Sequence, residues 1–135
     1  MVVLEKDYLR IIIDRSIKLM YSEWLRPVNS EEYRAGNLLL LQQLNEYGIL
    51  NWIADSEVLG NIDTADEQWT LAELIPGIVQ SSLSKIARIS GYDKANYTKF
   101  EEFAKRAEDI YIGQILVRQF MTYKEAADWI GEIIA

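Results

Sequence analysis

In the stretch from Asn51 to Trp69, NWIADSEVLGNIDTADEQW, carboxylates and hydroxyls fall where a short buried strand would end and a helix begin. Asp55 and Ser56 follow the triplet Trp52-Ile53-Ala54, Asp63 and Thr64 stand at the helix start, and Trp69 lies in its first turn and a half. In α/β proteins the carboxyl ends of strands and the neighbouring helix starts are where function gathers. Three chemistries suit these residue types. A hydroxyl at Ser56 or Thr64 could accept a phosphate close to the positive end of a helix dipole. Asp55 could share a pocket with Asp14 as an acid–base pair. Trp69 could anchor a partner through its ring. Each has a plainer counterpart. Thr64 reads as an N-cap with Glu67 as its capping-box partner, and Asp63, Asp66 and Glu67 would repel a phosphate there. Asp55 reads as an acceptor for the backbone of its own loop, and tryptophans are more often core than site.

The bulk composition narrows the classes. The chain has 135 residues, the size of one domain, and half of them are hydrophobic, with four Trp, eight Tyr and three Phe to fill a core. With 14 Lys+Arg against 21 Asp+Glu the formal charge is −7, and no three basic residues are consecutive, so nucleic acid is excluded as an expected partner. Cys and His are both absent, which removes disulfides, the usual zinc ligands, a thiol nucleophile and a Ser-His-Asp triad. No cofactor motif and no loop with calcium-ligand spacing is present. Glu5, Lys6 and Asp7 interrupt the apolar start, so neither a signal peptide nor a membrane span is expected, and the location expected is cytoplasmic.

The elements that must position these residues can be read in order. Val2–Glu5 is a short apolar stretch, and Tyr8–Asp14 and Ile17–Leu25 open the chain as a β-meander, with Ile17, Leu19 and Tyr21 on one strand face and Trp24 on the other. Asn29 and Glu32 form a capping box for a first helix that ends at Gly48. A central strand spans Asn51 to Ala54. The second helix starts at Thr64 and should kink or split at Pro76-Gly77. KIARIS (85–90) reads as a strand, GYDKAN as a loop, and Phe100, Phe103, Ala104 and Ala107 as the buried stripe of a third helix. Tyr92 and Tyr97 should face solvent. QILVRQF (114–120) reads as a strand, and Thr122 with Glu125 caps a last helix with Ala126, Ala127, Ile130 and Ile133 inward. This alternation predicts one α/β domain over 1–135, a mixed sheet of about five strands with four helices packed on it.

NWIADSEVLGNID, the DEQW at a helix start, Pro76 and the closing AADWI, on this meander and these helices, resemble the bacterial SpoIIAA-like superfamily. That superfamily holds the STAS domains of sulphate transporters and anti-sigma-factor antagonists, and stand-alone STAS/SEC14-type proteins. The likeness runs over nearly the whole chain and implies a SpoIIAA-like sheet and a bacterial source. In anti-sigma-factor antagonists a partner kinase phosphorylates a Ser or Thr after a buried strand, within Asp-Ser/Thr-Ser-Gly. Here the comparable places read Asp55-Ser56 and Asp63-Thr64-Ala65-Asp66, without the second hydroxyl or the glycine, and VLGNI lengthens the loop. The stand-alone branch is therefore the closer match.

The expectation is a non-catalytic regulatory module that binds a protein partner through Asp55, Ser56, Asp63, Thr64 and Trp69, with Ser56 or Thr64 as phosphate acceptor. The alternative is a module for a small apolar ligand or lipid, which the SEC14-type resemblance implies and which an apolar cavity walled by Trp and Leu would favour. Exposed strand edges would leave a homodimer open.

Overall fold

The computed structural model describes residues 1–110 and 115–134, with the backbone alone at residues 110 and 132–134. The inward call on Ile133 and the strand start at Gln114 lie outside what is described. Six strands form one sheet in strict sequence order: β1 (Val2–Glu5), β2 (Leu9–Asp14), β3 (Leu19–Trp24), β4 (Asn51–Asp55), β5 (Lys85–Ile89) and β6 (Leu116–Phe120). β1, β2 and β3 pair antiparallel, and β3 through β6 pair parallel. The sixth strand, beyond the five expected, is Val2–Glu5, which takes Ile13 to Arg10 as its partners. Ile17 sits outside the strand predicted for it. The turn between β2 and β3 puts Lys18 at φ +53°, and β3 begins only at Leu19.

Four helical bodies cover the sheet: α1 (Ser30–Glu46), a broken helix, α4 (Lys94–Ile110) and α5 (Tyr123–Ile134). The broken helix comprises α2 (Thr64–Trp69), a π-helical turn (Thr70–Leu74) and α3 (Ile75–Val79). Pro76 has no N–H to give, and the turn before it widens until the Ile75 N–H reaches the Thr70 carbonyl. The capping box of Asn29 and Glu32 starts α1 as predicted, and Gly48 at φ +56° follows its end. Asp93 accepts from the Ala95 and Asn96 N–H groups, so α4 begins inside the segment read as a loop. Tyr92 and Tyr97 are both exposed.

Right-handed crossovers repeated in one direction along a sheet stack their helices on the same face. Hence α1, the broken helix and α4 all lie over one face, and among the described residues α5 alone packs on the other. The crowded face buries Leu9, Ile11, Ile13, Met20, Trp24 and Trp52 against Leu40, Leu44, Leu74 and Ile78. The α5 face buries Ile53, Ala87 and Ile89 against Ala126, Trp129 and Ile130. Each such Leu or Ile, fully removed from water, contributes about 1.5–3 kcal/mol. On β3 the deeper face is Met20-Ser22-Trp24, while Leu19 and Tyr21 are half-buried beneath α5. No helix among the described residues is long and apolar enough to cross a membrane.

Candidate functional site: an apolar cleft with a buried arginine

Between the crowded face of the sheet and α4 lies a cleft of about 910 Å³. That is within the range of about 300–1,000 Å³ usual for sites that hold small molecules. Its floor is Trp52 and Ala54 of β4 with Ile86 and Arg88 of β5, residues that alternate onto this face by the two-residue period of a strand. Leu40 of α1 and Leu74 and Ile78 of the broken helix form the far wall. The roof is the inner stripe of α4, Phe100, Phe103, Ala104 and Ala107, each only half-buried because the space below it is open. The stripe is the one the sequence predicts for a core helix, yet it faces the cleft.

Polar bonds hold α4 at its margins. Glu67 on α2 pairs with Arg106 at 2.8 Å and Lys99 at 3.5 Å. Gln119 on β6 donates to the Tyr97 carbonyl and to Glu101, and Asn96 donates to the Ser56 carbonyl.

Arg88 is 8% exposed and lines the cleft. Its Nη1 donates to Gln119 Oε1 at 2.8 Å and its Nη2 to Asn96 Oδ1 at 2.7 Å, and the guanidinium lies 4.3 Å from the centre of the Phe100 ring. Both acceptors are neutral. Among the described residues no carboxylate comes within ion-pair distance of Arg88. Desolvation drives its pKa down from the ordinary arginine value to about 10, although the charges of Tyr33 and Asp55 act in the opposite sense. Burying a cation with no carboxylate bonded to it is costly, and strongly perturbed ionisable groups in clefts cluster at functional sites. Trp52 is held in the floor by a 2.8 Å bond from its indole N–H to the buried Ser22 hydroxyl. Tyr33 and Thr70 share a buried hydroxyl pair at 2.8 Å.

The five residues singled out in the sequence do not converge. Asp55 is buried at the end of β4 on the α5 face, where it accepts from the Glu57 N–H, as the plainer reading had it. Burial, then Asp55, raises the Tyr21 phenol, and burial with Asp55 also raises the Glu57 carboxyl. Asp14 cannot join Asp55. The β2–β3 turn sends the chain back, so Asp14 lies level with Leu19 and the start of β4, while Asp55 lies level with Glu23. Ser56 is buried at the cleft margin, with its N–H bonded to the Ile89 carbonyl.

The predicted capping box of Thr64 and Glu67 does not form. Asp63 is the N-cap, its carboxylate accepting from the Asp66 N–H at 2.8 Å, and Thr64 is the exposed first residue of α2. Asp caps as well as Thr. With Asp63 in that role, Glu67 is released to tie α4. Asp66 is buried: desolvation would raise its carboxyl, but bonds from Ser30 and Arg34 hold it below its ordinary value. Trp69 is half-buried, edge-on to Tyr33, with Arg34 over its ring. The other three tryptophans, Trp24, Trp52 and Trp129, are core.

Arg88 and Asn96 were not singled out from the sequence, and Phe100 was read only as part of a core helix stripe. The signal lay in KIARIS, where a lone arginine interrupts a short strand that alternation with helices places inside a parallel sheet, covered on both faces. Among the described residues no group of three or more acidic side chains could hold a metal ion. Compared with protein-family models, curated proteins and solved structures, the chain matches none of them.

Proposed function

We propose that this protein is a non-catalytic binding module that takes a small, largely apolar molecule into the cleft under α4. The observation that carries this reading is the cleft itself: about 910 Å³, floored by Trp52 and Ile86, walled by leucines and isoleucines, and roofed by an apolar helix stripe. A 135-residue domain normally closes such a space with side chains. The SpoIIAA-like resemblance belongs to the same proposal. Its support is an N-terminal meander followed by parallel strand–helix units, and its stand-alone SEC14-type branch implies this class of ligand. A regulatory face for a protein partner is the second reading, favoured by the exposure of Asp63 and Thr64 beside a half-buried Trp69.

The test is a titration with Nile red, a neutral apolar fluorophore. The expected result is saturable one-to-one binding with blue-shifted emission. Emission that never saturates, or stays at its value in water, overturns the reading.

A further inference from the structure

We propose that the ligand of this cleft is an amphipathic carboxylate, its anionic end held by Arg88 and its apolar body laid along Phe100, Phe103 and Ala104 of α4. The inference rests on the cleft being a ligand site and adds which chemistry that site selects.

Arg88 stands at the floor of a largely apolar space. Of the five N–H donors of a guanidinium, one is given to Gln119 and one to Asn96. Among the described residues the other three have no protein acceptor. The two amide oxygens fix the plane of the group without neutralising it, and Phe100 supports one of its faces. What is left is an oriented, desolvated fork of donors with, among the described residues, no carboxylate bonded to it. A carboxylate matches that fork in shape and sign, and the bond is strong in a low-dielectric site. A dianion would call for a second cation. Of the other basic side chains lining the cleft, Lys99 is engaged by Glu67 and the Ile62 carbonyl, and Lys105 is exposed to solvent on α4. A cationic amphiphile would meet Arg88 with like charge. The acceptors show the same preference: both are neutral amides, where a carboxylate from the protein itself would have filled the site.

The experiment is displacement of Nile red from the whole chain at neutral pH by decanoate, decanol and decylamine, each kept below its aggregation limit. Decanoate is expected to displace the probe at a concentration at least about tenfold lower than decanol, with decylamine weakest. Arg88→Met is expected to lose the decanoate advantage over decanol, read relative to the variant's own Nile red affinity, and Arg88→Lys to keep part of it. If decanol equals decanoate in the wild-type protein, or decylamine leads, the assignment of Arg88 is overturned while the cleft stands as a ligand site. Retention of the advantage in a folded Arg88→Met variant overturns it equally. The wild-type series decides the matter even where Arg88→Met does not fold. If Nile red does not bind at all, both this inference and the cleft reading fall.

Discussion

The indole of Trp24 lies across α1 at Gly36, so that a Cβ on Gly36 would come within 2.6 Å of Trp24 Cη2 and 3.3 Å of Leu9 Cδ2. The helix can approach β2 and β3 this closely only because residue 36 has no side chain. On helix propensity alone Gly36→Ala would stabilise α1 by about 1 kcal/mol. The rigid ring reverses the sign, and overpacking of this kind costs about 1–3 kcal/mol. Gly36→Ala is therefore expected to lower the urea midpoint, and a raised midpoint would show that Trp24 can move aside.

Asp63, and not Thr64, caps α2. Asp63→Ala should cost about 1 kcal/mol, while Thr64→Ala, at an exposed first position, should stay within about 0.5 kcal/mol. Paired denaturation curves decide it, and the reverse ranking would return the cap to Thr64.

Ser22 and Trp52 are buried and bonded to each other at 2.8 Å. Ser22→Ala leaves the indole N–H without its partner, for a loss of about 1–3 kcal/mol. The same change should shift the fluorescence of Trp52. Unchanged stability would mean that the N–H finds water in the cleft.

Asp66 is held below its ordinary carboxylate value by Ser30 and Arg34, against the desolvation that would raise it. The folded carboxyl thus binds its proton less tightly than the unfolded one. Its contribution to stability is present above about pH 4 and is lost as pH falls through the folded value. Melting curves between about pH 6 and pH 3 should show a smaller fall for Asp66→Asn than for the wild-type protein. Equal falls would count against the Ser30–Asp66–Arg34 link.

Ala104 lies at the middle of the roof of the cleft, half-buried over open space. A larger side chain there has somewhere to go, so Ala104→Trp should abolish Nile red binding without lowering the melting temperature. Undiminished binding would place the probe elsewhere on the surface.

Much of the fold was legible because it rests on local rules. The Asn29–Glu32 box, the break at Pro76, the Thr122–Glu125 cap and the alternation of strand with helix follow from a few adjacent residues. The misreadings fall where two local solutions compete or where a partner lies far off in the chain. Asp63 and Thr64 are equally good caps, and the choice depends on Glu67 being drawn to Lys99 and Arg106, more than thirty residues later. Ile17 has the composition of a strand, but the turn that reverses β2 takes it.

The candidate site shows the same division. By itself the sequence determined that Phe100, Phe103, Ala104 and Ala107 share one helix face, and that Ile86 and Arg88 share one strand face, because these periods are set by backbone geometry. Only the tertiary structure decided that the two faces meet across a cleft. Asp14 and Asp55 were likewise read as strand ends, and only the antiparallel pairing of β2 with β3 sent them to opposite ends of the sheet. How far a helix stands from a sheet depends on what fills the space between them. Here the bonds that set that spacing join Asn96 to Ser56, Gln119 to Glu101, and Glu67 to Arg106, pairs remote in sequence whose meeting no local period encodes.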